Sequence, residues 1–327
     1  MNLRFRIRRH FVFLRQLFWE AFREKFLVAL VITVLFGLLI SILNHFFYDT
    51  SVWYSFIIEP DIENVFCETP DMKNLIRQPF NTFTNFIYLI NGLFFFSKGI
   101  EDIKKNRNYN LITANRFYSF TLAAIMFYIF LCSSFFHASL VEVASNMDYS
   151  SVYSIALFPL MYFTHRVSLV VRGLPSNVKH KRERLILIIV FSVIYILLTF
   201  VIPMDVVHPI VGSFIALMII FGIYLELKSR GKTNKRHLFG SLITLIIAIV
   251  FFEFDFAKIM CAPDFFIFPH NFWHLFNGVS MFFLYLYIRS ESYQPEYDKL
   301  RLDLRDRAHQ FVERKYIGIK KKSESEE

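Results

Sequence analysis

The chain predicts an all-α polytopic membrane bundle, and three observations carry that prediction. Of its 327 residues, 55% are hydrophobic and 42 are Phe, too apolar for a soluble domain of this size. Apolar runs near the ~20 residues needed to cross a bilayer recur along the chain. Eight are read, at 26–43, 82–96, 117–136, 151–163, 185–202, 209–225, 238–252 and 272–288. Placing residue 1 inside and alternating sides then puts 33 of the 36 Lys and Arg on the inner face, leaving only Lys73, Arg77 and Lys258 outside. That asymmetry is the positive-inside rule, and it sets both termini in the cytoplasm.

So little chain remains between the runs that no second globular domain fits. The expected organisation is a basic tail and first span (1–47), an outer or lumenal segment (48–80), the main membrane domain (81–289) and a charged tail (290–327). The net charge of +9 reads as topology signal with some affinity for anionic lipid. Nucleic-acid binding is excluded, because no basic stripe with interleaved aromatics lies outside the membrane anchors. No internal repeat, phosphate-cradling glycine loop or dinucleotide fingerprint is present.

In chain order, residues 1–25 mix Arg with Phe and Leu, as an interfacial helix would. No small-x-small site follows Leu43, so the first span reads as an uncleaved anchor. The segment 48–80 carries Asp61, Glu63, Glu68 and Asp71, which suit a solvated acidic loop, a cation site or a lid. After Pro79, Asn81 or Thr82 is placed to cap the second run. Deeper in, Asn91 reads as interhelical packing and Asn85 as a group orienting a ligand. The fourth run is short, with Asp148 at its start, and 164–184 reads as a basic turn holding Gly173 and Pro175. His208 reads as structural. Of Glu253 and Asp255, one is expected to orient a metal-bound histidine and the other to lie at the interface. The tail from 289 combines a short surface helix with a disordered end.

The residues with chemical potential collect at one end. His270 and His274 are four apart, hence on one helix face, a spacing that brings two imidazoles to one metal. A lone pair also arises by chance on polar faces, but ionisable groups within membrane helices are usually functional. Ser133 and His137 share a face in the same way at the end of the third run. Alternation of sides puts His137, Asp148, His270 and His274 at the same depth. Singly, His137 suits a snorkelling group and Asp148 a helix-dipole acid; together they read as a metal site. Cys67 and Cys261 both fall outside, in an oxidising compartment, where a disulfide competes with two unpaired thiols. Cys132 reads as an ordinary core residue.

Ser133-x-x-x-His137, Asp148 eleven residues on, and His270-Asn271-Phe272-Trp273-His274 resemble the alkaline ceramidases. These belong to a superfamily of seven-helix membrane hydrolases that includes adiponectin receptors and GPI-remodelling proteins. Cys67-Glu68, the cluster Asn81-Thr82-Phe83-Thr84-Asn85, and Asp255 with Cys261 resemble further segments of that family, over roughly residues 65–290. The resemblance implies a seven-helix core, here with one additional N-terminal helix. It implies zinc on His137, His270 and His274, a catalytic Asp148, Ser133 near the scissile carbonyl, and a Cys67–Cys261 disulfide. The family's calcium site is matched at Glu68 alone: Val65, Phe66, Pro70 and Gln78 depart from its pattern.

The expected function is therefore a zinc amidase cleaving the N-acyl bond of ceramide or a related lipid to a fatty acid and a sphingoid base. Three imidazoles leave a fourth zinc position open, the layout of a catalytic site. Asp148 acts as the acid–base group and Ser133 as an oxyanion donor. The rivals are another lipid hydrolase, of ester or GPI-type substrates, and a receptor or scaffold with structural zinc. Ligation by Asp148 would close the shell and favour the latter. A transporter is disfavoured by the lack of paired broken helices.

Overall fold

The computed structural model describes residues 25–49, 52–58, 66–177, 179–203, 206–229, 232–261 and 268–292. The basic tail 1–24, Asp61 and Glu63 of the acidic segment, and the tail from 293 onward lie outside the described residues.

Each apolar run falls on one long helix except the second, 82–96, which begins in a six-residue helix (Pro79–Thr84) and continues after Asn85 into a long one (Phe86–Lys104). The described helices are α1 (Lys25–Phe46), α2 (Pro79–Thr84), α3 (Phe86–Lys104), α4 (Leu111–Ala114) and α5 (Phe117–Ser139). They continue as α6 (Glu142–Val171), α7 (Lys181–Phe200), α8 (Val207–Lys228), α9 (Lys235–Phe256) and α10 (Pro269–Ser290). Eight are long, and six of these are long and apolar enough to cross a membrane. The chain is thus an integral, multi-pass helical membrane protein. The other two long helices, α3 and α10, carry Asn91 and Asp102, and His270, His274 and Asn277. All five residues are buried, so their polarity faces the bundle and not lipid.

The fourth run differs most from expectation. The helix α6 has 30 residues, about 45 Å at 1.5 Å per residue, and extends into the segment read as a basic turn. Its first two turns, with Ser145, Asn146 and Asp148, are polar and therefore carry no hydropathy signal. Asp148 accordingly sits in the second turn instead of opening the helix.

Neighbouring helices pack in the order α9, α10, α3, α5, α6 and α8, with α7 against α6 and α1 against α3. The interface of α1 uses small residues at four-residue spacing. Ala29 and Thr33 are buried, and at Gly37 an added Cβ would come 2.9 Å from the Phe86 ring. Close approach through small residues is how helices associate in lipid. Asn91 Nδ2 donates to the Gly278 carbonyl at 2.7 Å, the packing role expected of it.

The end remote from the histidines is a buried polar layer. Both terminal guanidinium nitrogens of Arg289 reach Asp102, at 2.6 and 2.8 Å, and Arg166 forks onto Glu291. Asn110 caps α4 and donates to the carbonyls of Arg289 and Glu291. Arg166 and Arg289 are therefore more than topology signals: each pairs with a buried acid, costly to bury unpaired, and Asp102 has a second cation in Arg107 at 3.5 Å.

Candidate metal centre

His137 stands on the last turn of α5, which ends where Leu140 takes a left-handed conformation (φ 54°). His270 and His274 lie on the first two turns of α10, opened by Pro269, whose fixed φ suits a first helical position. All three imidazoles are buried. Their ring centroids form a triangle of 4.5, 5.0 and 5.1 Å, and one ligand atom from each lies within 4.8 Å of the others. Among the described residues, this is the group of His, Cys and acidic side chains arranged to hold a metal ion.

Each ring is oriented from behind through Nδ1. His137 Nδ1 lies 2.8 Å from Gln78 Oε1. His274 Nδ1 lies 3.2 Å from the Asn81 carbonyl and 3.2 Å from Thr84 Oγ1. His270 Nδ1 lies 3.4 Å from Asp255 Oδ2, an ion-pair separation and not a formed hydrogen bond. His137 and His274 thus each have an acceptor that favours the proton on Nδ1, and Asp255 faces the same atom of His270, which leaves the Nε2 lone pairs for a cation. The buried Nε2 of His137 has no hydrogen-bond partner. Three converging imidazoles with acceptors behind them fit zinc, for which imidazole is a preferred ligand.

Of Asp255 and Glu253, it is Asp255 that reaches a histidine. Its Oδ1 also accepts the Cys67 N–H at 3.1 Å, while Glu253 is exposed. Cys67 and Cys261 form a disulfide with Cα atoms 5.0 Å apart. That bond anchors Phe66, whose ring covers His270 and His137 at centroid distances of 4.5 and 5.0 Å. Cys132 is free and buried.

Asp148, half-buried, accepts a hydrogen bond from the Ser151 hydroxyl at 3.5 Å and faces the Ser133 hydroxyl. Ser133 thus stands beside Asp148, one turn below His137. Asn85 is fully buried and donates to the Asn81 carbonyl, while its own oxygen has no partner. His208 packs on Phe252 at 5.2 Å, apart from the three ligands, as a structural residue.

The helix cap differs from the sequence reading. Neither Asn81 nor Thr82 caps α2. Glu68, ten residues upstream of Gln78, accepts the N–H groups of Phe80 and Asn81 at 2.8 and 2.7 Å. Both carboxylate oxygens of the one residue that matched the calcium pattern are thus held by a helix N-terminus, a favoured place for an acid. Burial pushes the Glu68 carboxyl up to about 7, against the lowering effect of the two amides.

Sequence reasoning missed Gln78, Phe66 and Tyr88 as site residues. The Gln78 backbone N–H donates to the His137 carbonyl at 3.0 Å, and that of Arg77 to Ala138, lacing this segment onto the open carbonyls at the end of α5. Tyr88 is buried, its ring 6.4 Å from that of His274. It lies one turn beyond Thr84, so the spacing to that cluster is the signal that could have found it.

Beside the site begins an apolar cavity of about 350 Å³ between α6, α8, α9 and α10. Trp273, adjoining His274, and Val152, one turn past Asp148, line its head. In the comparison with known families, residues 80–292 match the Per1-like family. No curated protein matches the chain.

Proposed function

The chain belongs to the Per1-like family, within the alkaline-ceramidase-like superfamily of membrane hydrolases related to GPI remodelling, and on that premise we propose that it is a zinc-dependent hydrolase cleaving an acyl bond of a membrane lipid. The observation that carries this reading is the convergence of three buried histidines, each backed by an acceptor, beside Asp148 and at the head of an apolar cavity.

His137, His270 and His274 would hold the ion, whose Lewis acidity polarises a carbonyl and makes hydroxide available from water near pH 7. Asp148 is half-buried and interacts electrostatically with His270. It takes the proton lost by the attacking water and delivers it to the departing nitrogen or oxygen. Ser133 faces Asp148 and stands one turn from His137, so its hydroxyl can turn to the carbonyl oxygen as negative charge develops there. The C–N or C–O bond breaks, giving a fatty acid and an amine or alcohol. The apolar cavity would hold the acyl chain, and the charge asymmetry of the loops supports a site on the outer or lumenal side.

Two substrate forms follow. An amide such as ceramide would yield a sphingoid base. An ester of GPI-type lipid is the second reading, favoured by the Per1-like match. The test measures bound zinc and fatty-acid release from ceramide and from an acylated inositol glycolipid, for wild type, His274→Ala and Asp148→Asn. Expected are about one zinc in wild type, loss of both readouts in His274→Ala, and zinc without turnover in Asp148→Asn. Release from one lipid only decides between amide and ester. A wild type without zinc removes the reading altogether.

A further inference from the structure

We propose that the Gly222–Glu226 face of α8 sets the length of the acyl chain that the cavity accepts. This rests on the acyl-lipid reading above, and names the residues that would select among its substrates.

The cavity is long and narrow in chemistry. Its wall on α6 runs from 152 to 163 and its wall on α8 from 211 to 227, about 16 and 24 Å at 1.5 Å per residue. An extended hydrocarbon with C–C bonds of about 1.5 Å advances roughly 1.3 Å per carbon, so these walls match about 13 to 19 carbons. The head is lined by Trp273, next to His274 in sequence, and by Val152, one turn past Asp148, and the far end is at Glu226 and Lys235.

Two residues, one helical turn apart on α8, define that far end. Gly222 is buried, yet a Cβ built on it meets nothing within 4 Å. It is backbone facing empty space inside the protein. The neighbouring lining positions of the same helix, Met218 and Ile219, carry bulky side chains. Gly222 therefore keeps the lower part of the cavity open. One turn on, Glu226 lines the same cavity. Its carboxylate accepts from the Tyr287 hydroxyl at 2.8 Å and from the Thr233 hydroxyl, with Lys235 Nζ at 3.6 Å. A methyl end pushed against this cluster would strip water from a charge without replacing its hydrogen bonds, which is unfavourable. The cavity is open to Gly222 and closed, chemically, at Glu226.

The test is displacement of a fluorescent fatty acid from the purified full-length protein by saturated fatty acids from octanoate to arachidate. In wild type, each added carbon tightens binding about four-fold until the chain end reaches Glu226, then no further. Gly222→Phe fills the lower cavity and moves that break to chains shorter by about four carbons, one helical turn. Gly212→Phe on the same helix, exposed and away from the cavity, leaves it unmoved. Glu226→Leu, which removes the charge, lets affinity keep rising past the wild-type break. An unchanged break in both Gly222→Phe and Glu226→Leu overturns the proposal, as does a wild type that binds no fatty acid. Release of fatty acid from ceramide and acyl glycolipid is followed in parallel. A shifted break without any cleavage keeps the length limit and sinks the hydrolase reading. Cleavage with an unshifted break does the reverse.

Discussion

Asp255 and His270 are joined by a carboxylate that serves two masters: Oδ2 lies 3.4 Å from His270 Nδ1, and Oδ1 accepts the Cys67 N–H at 3.1 Å. Because Cys67 is bonded to Cys261, the covalent tie at the mouth of the bundle also fixes the group behind one proposed ligand. Removing such a group behind a ligating histidine typically costs 10- to 100-fold in metal affinity. Asp255→Ala should therefore weaken zinc binding by about that factor, read by competition with a chromogenic chelator. Cys261→Ser should move affinity the same way by less, since it loosens Asp255 without deleting it. Wild-type affinity in Asp255→Ala would show that His270 needs no such support.

Gln78 makes a comparable claim on His137. Its side-chain oxygen faces His137 Nδ1 at 2.8 Å while its nitrogen donates to the Glu68 carbonyl at 2.9 Å. Gln78→Leu leaves the His137 N–H and that carbonyl unmatched, and metal affinity should fall about 10-fold or more. Gln78→Glu retains an acceptor for the N–H and should hold zinc far better than Gln78→Leu. Equal affinity for the two variants would make Gln78 a packing residue only.

Glu68 gives the fold a pH dependence of defined sign. Its carboxyl is raised from 4.5 to about 7 in the folded protein because burial opposes ionisation. The folded state thus binds the proton more tightly than the unfolded one. The stability this group contributes is full below about pH 4.5 and is lost as pH rises through 7. The swing is at most about 3 kcal/mol, from 1.36 kcal/mol per pKa unit. Glu68→Gln keeps an acceptor at the start of α2 but cannot titrate. The difference in thermal midpoint between wild type and Glu68→Gln should shift against wild type between pH 4.5 and 7. A pH-independent difference would place the Glu68 carboxyl in an ordinary solvated setting.

The sequence exposed the parts of this arrangement that act through side-chain type and spacing. Eight apolar runs are visible because lipid demands apolar surface. His270 and His274 are visible because a four-residue step is one helical turn, and His137 and Asp148 because alternation of sides sets their depth. What stayed hidden acts through backbone or through distance along the chain. His274 is held by the Asn81 carbonyl, which any residue would offer. Glu68 reaches 12 and 13 residues ahead to cap α2, so no local capping pattern announces it. The polar opening turns of α6 are helical by packing, and hydropathy passes over them. Arg166 and Arg289 look like surface charge until their acids, 125 and 187 residues away, are located.

The contact of α3 with α10 carries a prediction about how tightly the metal centre is framed. At Gly278, an added Cβ would fall 2.6 Å from both Cγ1 and Cγ2 of Ile87. A β-branched side chain has little χ1 freedom in a helix, so Ile87 cannot step aside, and α10 must move instead. The same glycine's carbonyl accepts from Asn91 at 2.7 Å, a bond that lengthens if the helices part. Gly278→Ala should therefore destabilise the protein by about 1–3 kcal/mol, the usual cost of overpacking, although alanine is the better helix former. Gly278 is one turn below His274, and α3 begins beside Asn81 and Thr84, which hold His274 from the other side. The displacement should consequently weaken zinc binding as well. Ile87→Ala in the same chain should restore both, because it removes the branch that the new methyl strikes. Thermal unfolding and zinc titration of the single and double variants measure the coupling directly. A Gly278→Ala protein as stable as wild type would mean that the two helices meet less closely than 2.6 Å implies.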